Sequence, residues 1–342
     1  MTTTTLDTSR ALVENALADF LATHDPKTMD NVTFRGLRFD AGLAWVHFPV
    51  GRGGLGVRPD LNRLVEEGLR KAGAAPQDPA TFFIALAGPT IATHGSDEVQ
   101  KRFLRPMFTG EEKWCQLFSE PGAGSDFAGL GTRAVRDGDE WVVNGQKVWN
   151  TSAHHADFGM LVARTSWDVP KHHGISYFVL PMHQPGIEVR GIKQMNRHAS
   201  FNEVFLTDAR IPANHLLGTL NDGWRVARAT LAHERTFSTM RRPKFVQSAG
   251  IQSRAVREAE VEAEEHFKTY VWYPQRAGRV DLAVERAQQH GVASDLVVRQ
   301  EIAALISCQR TSEWTALRAR AARALGRPPG PEGSLGKLAA SQ

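Results

Sequence analysis

The hydrophobic period changes twice along the 342 residues, from helical to strand-like and back. A helix buries one stripe about every 3.6 residues and a strand buries every second residue, so one segment cannot serve as both. From about Leu6 to Lys113 the spacing is helical: Leu12, Ala16 and Phe20 recur on one face, as do Leu61, Leu64, Val65 and Leu69 behind Pro59. Thr81 to Ile91 is apolar, and Ser96 or Asp97 can cap a helix carrying Val99 and Phe103. From Trp114 to Leu217 short apolar runs at Phe158 to Ala163, Ile175 to Leu180, Ile187 to Val189 and Phe201 to Leu206 alternate with Gly, Pro, His and Asp. Asn144-Gly145, between Trp141-Val142-Val143 and Val148-Trp149, predicts a two-residue hairpin. From Asp222 onward the period is helical again, and Leu296 to Leu325 contains neither Gly nor Pro. The expected architecture is α+β in three domains: helical over 1–113, a compact antiparallel barrel or sandwich over 114–218, and helical over 219–342.

Composition narrows the class of function. With 41 Lys plus Arg against 37 Asp plus Glu, the net charge of +4 is too small for a dedicated nucleic-acid surface. It suits an anionic small ligand equally well. The two cysteines, Cys115 and Cys308, are far apart and support neither a disulfide framework nor a thiolate metal site. No apolar run reaches the ~18 residues of a membrane span, and the threonine-rich start lacks a signal-peptide core, so a cytoplasmic chain is expected.

Several segments invite chemistry. Gly51-Arg52-Gly53-Gly54-Leu55-Gly56 matches GxGxxG, but no second strand with an acidic end follows, so a glycine turn between helices is favoured over a dinucleotide site. Glu120-Pro121-Gly122-Ala123-Gly124-Ser125-Asp126 follows the strand-like Trp114 to Phe118, and its N–H groups and the Ser119 and Ser125 hydroxyls suit a flavin edge or an anion. An ordinary tight turn explains it as well. Trp149-Asn150-Thr151-Ser152 offers an indole beside hydroxyls, either for a planar heteroaromatic ring or as a core tryptophan at a strand end. His154-His155 and His172-His173 lack partners at metal-ligand spacing and are taken as solvated, with adjacent strand positions pointing apart. On the helix after Asp222, Trp224, Ala227 and Leu231 form a stripe that Glu234 and Ser238 continue. A carboxylate there is either one half of a buried ion pair or functional, with Arg235 beside it.

Taken in order, these blocks resemble the acyl-CoA dehydrogenase superfamily from about Phe48 to Ser238. Phe48-Pro49 with Gly53-Gly54-Leu55-Gly56 is similar to its N-terminal-domain loop, and Leu117-Phe118-Ser119-Glu120-Pro121-Gly122-Ala123-Gly124-Ser125-Asp126 to its flavin signature. Asn144-Gly145-Gln146-Lys147-Val148-Trp149-Asn150-Thr151-Ser152, Gly186-Ile187-Glu188-Val189, Phe201-Asn202-Glu203-Val204-Phe205 and Asp222-Gly223-Trp224 follow as expected. The resemblance implies an N-terminal helical domain, a central antiparallel β-barrel and a C-terminal helical bundle. It implies FAD, an acyl-CoA substrate oxidised between its α and β carbons, and an electron-transfer flavoprotein or similar acceptor. It also implies a homo- or hetero-oligomer, dimeric or tetrameric. Gln116, Leu117, Phe118, Ser119, Gly124 and Ser125 would contact FAD, with Ser119 near the pyrimidine edge, and Trp149, Asn150 and Thr151 would cover the ring. Ser125 and Ser200 would reach the CoA pantetheine or phosphates. Glu234 stands where one branch carries its catalytic base, and Arg235 matches an arginine that orients the base or binds substrate. A thioester α-proton is too weakly acidic for a solvated carboxylate, so such a base needs desolvation and hydrogen bonds to the thioester oxygen.

Two departures stand out. Val284 to Ser294 reads VERAQQHGVAS, where the family carries an Arg-x-x-Phe-Gly block that holds the ADP end of FAD. The last helices, with a Gly-Gly-x-x-Glu-Ile-like segment, are not in the sequence, and too few residues follow Ser334 for an independent helix of ~12. A shortened chain, or one completed by another subunit, is the expectation. The block wording is closest to actinobacterial enzymes for steroid side chains or other bulky acyl-CoAs, some of them hetero-oligomers with one base-carrying subunit. Alternatives are a non-catalytic subunit and a same-fold flavin oxidase or monooxygenase.

Overall fold

Capping residues fix where the first helices begin and end. Asp30 accepts a hydrogen bond from the Thr33 N–H to start helix α2 (Asn31–Asp40), and Ser96 accepts from the Val99 N–H to start α5 (Asp97–Thr109). Gly73 and Gly110 end α3 (Asn62–Ala72) and α5 in the left-handed conformation. With α1 (Thr3–Thr23) and α4 (Ile84–His94) they make an all-helical layer. The computed structural model describes residues 3–75, 84–194, 199, 201–239, 280–325, 327, 330–332 and 335. Residues 1–271 form one compact unit and 272–342 another.

The α1 stripe keeps the predicted Phe20, with Ala16 partly buried beside it, but is led by Val13 and Leu17. Val13, Leu17 and Phe20 pack against Val65 and Leu69, whereas Leu12 is exposed. Between α2 and α3 the glycine-rich segment is a loop and not a strand–helix turn. The Ala44 and Trp45 N–H groups both donate to the Gly53 carbonyl, and Gly56 donates to Phe48. A Cβ on Gly54 would lie 2.0 Å from the Phe48 carbonyl oxygen, so the loop closes too tightly for any side chain there.

The middle of the chain forms an eight-stranded sheet: β1 (Trp114–Leu117), β2 (Arg133–Asp137), β3 (Glu140–Lys147), β4 (Phe158–Arg164), β5 (Ile175–Pro181), β6 (Ile187–Ile192), β7 (Phe201–Pro212) and β8 (Leu216–Leu217). The order is β6-β7-β3-β2-β4-β5-β8, with β1 paired to β4. Among the described residues the expected barrel is not closed, because β6 pairs only with β7 and the two-residue β8 only with β5, so the two edges do not meet. The sheet is also not purely antiparallel, since β1 and β2 both run parallel to β4. β4 and β5 are buried on both faces: Met160, Val162, Tyr177 and Val179 join the helices, and Leu161, Ala163, Phe178 and Leu180 fill a second core. That explains their unbroken apolar runs.

The hairpin falls elsewhere than predicted. β2 and β3 turn at Gly138-Asp139, with Asp137 paired to Glu140 and Gly138 at φ 57°. Asn144-Gly145 lies inside β3 at a bulge opposite β7. A Cβ on Gly145 would lie 2.4 Å from the Thr132 hydroxyl, so the glycine permits a close backbone approach and not a turn.

Helix α6 (Gly223–Thr239) packs on α4 and β5. In the second unit α7 (Val280–Gln289) and α8 (Leu296–Ala324) pack on each other. The helix predicted to start at Ser334 lies outside the described residues. No described helix is long and apolar enough to cross a membrane.

Replacing Gly54 with Ala is expected to destabilise the chain by about 2–3 kcal/mol, the cost of overpacking against fixed backbone, read as a lower denaturant midpoint at unchanged slope.

Candidate functional site

The ends of β1 and β3 meet at a buried lysine. Trp141, Val143 and Lys147 occupy inward positions of β3, and Lys147 is 0% exposed. Its ammonium donates to the Phe118 carbonyl at 3.0 Å and to Glu120 Oε1 at 2.8 Å. Glu120 also accepts from the Gly131 N–H at 2.6 Å and the Thr132 N–H at 3.0 Å. Burial pushes Lys147 down to about 8 against the pull of Glu120. Burial pushes Glu120 up, but the Lys147 charge and the hydrogen bonds from Lys147, Thr132 and Gly131 outweigh it, so its pKa lies below the ordinary value. The pair clamps the loop between β1 and β2 onto β3.

The chain leaves β3 under strain. Trp149 is at φ 64° and Ser152 at φ 58°, a region bulky residues avoid. Between them, Asn150 and Asn202 exchange backbone hydrogen bonds of 3.0 and 3.1 Å, and the Asn202 amide donates to the Asn150 carbonyl at 2.8 Å. The Asn150 amide donates to the Gln116 carbonyl at 2.8 Å, and the Val148 N–H to the Ser119 carbonyl at 2.9 Å. Two predicted blocks, Gln116 to Ser119 and Trp149 to Thr151, are thereby held side by side. Trp149 is 58% exposed and meets Phe201 edge-on at 6.0 Å. It is not a core tryptophan. Leu117 and Phe118 have buried side chains, while Gln116, Ser119 and Thr151 are half-buried.

The loop from Glu120 to Leu130 is fixed at several points. Glu120 and Ala123 exchange backbone hydrogen bonds of 3.1 Å, leaving Gly124 and Ser125 exposed. Lys171 pairs with Asp126 at 2.7 Å, and buried Arg164 donates to the Ala128, Leu130 and Lys171 carbonyls. Phe118 stacks on Phe127 at 5.2 Å and Phe127 on Trp224 at 5.8 Å, so the first turn of α6 lies against this loop.

Glu234 follows on α6. The deepest stripe of that helix is Gly223, Val226, Ala227 and Thr230, and Leu231 and Glu234 are half-buried at its margin. The Arg235 and Ser238 side chains and all of Ser200 lie outside the described residues. His154 and His155 sit in one 3-10 turn with ring centroids 3.9 Å apart and not on opposite strand faces. His172 packs on Trp224 at 4.7 Å.

Comparisons with known proteins place this constellation. Residues 2–111 match the acyl-CoA dehydrogenase N-terminal domain, and residues 115–209 match the acyl-CoA dehydrogenase middle domain. The chain belongs to the acyl-CoA dehydrogenase family. It is 46% identical over 196 residues to acyl-CoA dehydrogenase FadE34 of Mycobacterium tuberculosis, covering 57% of this chain and 27% of that one. It is 37% identical over 291 residues to acyl-CoA dehydrogenase IpdE1 of the same organism, covering 85% of this chain and 66% of that one. The chain thus spans less than two thirds of the length of either relative. The Tcur3481-Tcur3483 steroid ACAD structure shares the fold, with TM-score 0.63 at 22% identity over 99% of this chain and 82% of that one.

This acyl-CoA dehydrogenase family is FAD-dependent, and the residues present fit such a group. The Asn150 Oδ1 atom is buried without a hydrogen-bond partner among the described residues, the Trp149 indole is exposed beside it, and a Cβ on Gly122 or Gly124 would meet nothing within 4 Å. A planar ring carrying an N–H donor satisfies the first two. Sequence reasoning missed Lys147, Glu120 and Thr230 as organising residues of the site. A lysine in the inward register of Trp141 and Val143 was the available signal, since a buried ammonium needs a partner. For Asn202 nothing in the local pattern indicated a role.

Replacing Lys147 with Met is expected to cost about 3–5 kcal/mol by stranding the Glu120 charge, and the Lys147→Met/Glu120→Gln double variant is expected to recover part of it. The lowered Glu120 pKa supplies stability present above the ordinary glutamate value of ~4.3 and lost as pH falls through its folded value. In Glu120→Gln that acid limb should be missing from denaturation midpoints measured against pH.

Proposed function

We propose that the chain catalyses FAD-dependent α,β-dehydrogenation of an acyl-CoA thioester to the trans-2-enoyl-CoA, with Glu234 as the base that takes the α-proton. The observation that carries this is the joining of the two signature blocks: the Asn150–Gln116 and Val148–Ser119 hydrogen bonds bring the loop and the Trp149 segment to one place, with α6 against the same loop through Phe127 and Trp224.

Ser119, with the backbone of Gln116 to Phe118, would hold the polar edge of the flavin, and Trp149, Asn150 and Thr151 would cover its ring. Gly124 and Ser125 leave the loop open for the cofactor, and Ser125 together with Ser200 would meet the CoA arm. When bound, FAD supplies the acceptor for the β-hydride at N5. The α-proton passes to a Glu234 carboxylate oxygen, and Arg235 orients that carboxylate or the substrate. The half-buried position of Glu234 supports this, since it leaves the carboxylate within the helical packing and still open on one side to a substrate.

The acyl class we favour is a bulky or steroid-derived thioester, and the electron acceptor an electron-transfer flavoprotein or its equivalent. A second reading, in which another chain completes the site, is favoured by the sequence Val284 to Ser294, which lacks the family's ADP-holding block.

The test is an anaerobic absorbance titration of the purified chain with butanoyl-, octanoyl-, cyclohexane-1-carbonyl- and steroid-carboxyl-CoA. The expected result is flavin bands that bleach with at least one of them, and a Glu234→Gln variant that keeps the bands while its bleaching slows about 10²–10⁴-fold. A Glu234→Gln variant that bleaches at the wild-type rate removes Glu234 as the base. Bands that appear only after a partner chain is added select the second reading, and rapid turnover with O2 selects an oxidase.

A further inference from the structure

Outside the site already described, one polar cluster lies in the core where three elements meet. Thr90 on α4, Tyr177 on β5 and Thr230 on α6 are each fully buried. The Thr230 hydroxyl lies 2.9 Å from that of Thr90 and 3.2 Å from that of Tyr177. Thr90 also reaches the Leu86 carbonyl at 2.7 Å, and Thr230 the Val226 carbonyl at 3.1 Å. Three hydroxyl protons serve four oxygen–oxygen contacts. Burial pushes the Tyr177 phenol upward, which keeps it protonated as a donor.

Packing alone does not require these hydroxyls. Valine and phenylalanine have nearly the same shape, and replacing hydrogen-bonding groups by apolar ones of equal shape is close to neutral for stability. What hydrogen bonds add is direction. Apolar contacts let a helix slide or rotate by fractions of an ångström, whereas bonds from α4 and from β5 to one oxygen fix both position and rotation of α6 at Thr230. Glu234 is four residues on, one turn along the same face. Tyr177 also meets Phe118 edge-on at 5.7 Å, and the Phe118 carbonyl accepts the Lys147 ammonium. The cluster therefore stands between the floor of the cofactor site and the helix of the base.

We propose that Thr230, with Tyr177 and Thr90, is a polar pin that positions Glu234 for proton abstraction. The proposal rests on Glu234 being the base. Thr230 and Tyr177 touch no reacting atom, so they are positioning residues: the cost of removing a hydroxyl falls on the chemical step and not on substrate binding.

The test uses the full chain in Thr230→Val, Thr230→Ser and Tyr177→Phe variants beside Glu234→Gln. The first readout is flavin bleaching by stopped flow with octanoyl-CoA and cyclohexane-1-carbonyl-CoA across pH. The second is amide hydrogen exchange of the α6 segment that carries Glu234. Thr230→Val and Tyr177→Phe are expected to slow bleaching about ten- to hundredfold, to leave half-saturation within about twofold, and to shift the pH at which bleaching is half-maximal. Exchange around Glu234 should quicken, and Thr230→Ser, which keeps the hydroxyl, should restore both. Should Thr230→Val fail to fold, Tyr177→Phe, which removes a single oxygen from the sheet side, carries the same expectation. Wild-type bleaching and exchange in Thr230→Val, with Glu234→Gln inactive, overturns the pin alone. Wild-type bleaching in Glu234→Gln overturns the base assignment, and the pin with it.

Discussion

The Lys147–Glu120 pair is the interaction on which the arrangement of the site depends. Moving two charges into a core costs several kcal/mol for each ion, and attraction between them compensates only when the remaining hydrogen-bonding capacity is filled. Here it is filled from several sides: Lys147 also donates to Phe118, and Glu120 also accepts from Gly131 and Thr132. Each of these partners lies on the segment from β1 to β2. The pair therefore does more than stabilise. It specifies the path of a loop that has little apolar surface of its own, since Pro121, Gly122, Gly124, Ser125 and Asp126 are all exposed. A core of valine and leucine would hold β1 against β4 but would leave that loop unplaced.

Helix α6 is fixed by a different division of labour. At its start Trp224 stacks on Phe127 and meets His172 edge-on, which sets its distance from the loop. In its middle, Val226 and Ala227 bury fully in the larger core, and Thr230 adds bonds to α4 and β5. Beyond Thr230 burial decreases, so Glu234 occupies the first turn where the helix is partly wet. The base proposed at Glu234 needs both restraint and access, and a half-buried position one turn beyond the Thr230 bonds is suited to both.

Much of this was legible in the sequence, and the misses share a cause. The three textures, the Ser96 cap and β4 and β5 followed from period and capping chemistry, which are local. The glycine-rich loop was also correctly separated from a dinucleotide site, because the missing second strand is a local absence. Asn144-Gly145 was misplaced as a turn because its turn-like composition answers a distant need, the close approach of Thr132 just before β2. The barrel was expected from the short strands with turn signals, where a sandwich was the alternative, and from family resemblance, but whether the edges of a sheet meet depends on the length of β8 and on long-range pairing. In the α1 stripe Phe20 held, whereas Leu12 was chosen over Val13 because both are apolar and only α3 decides which faces inward. Lys147 and Thr230 were overlooked because a polar residue within an apolar register reads as noise until its partner, tens of residues away, is known.

The exposed Trp149 brings these themes together. A bulky residue at positive φ costs of order 1–3 kcal/mol and persists only where its surroundings over-determine it. They do so here: Lys147 holds the preceding strand end, the reciprocal Asn150–Asn202 bonds hold the following residue, and a second left-handed residue, Ser152, returns the chain to the core at Ala153. Without that strain the indole would be free to continue the β3 alternation. With it, the ring is presented outward beside the unpartnered Asn150 acceptor. Folding stability alone has no use for a strained backbone, an exposed indole and a buried oxygen without a partner among the described residues, all at consecutive positions. The planar ring proposed for this site would account for all three at once.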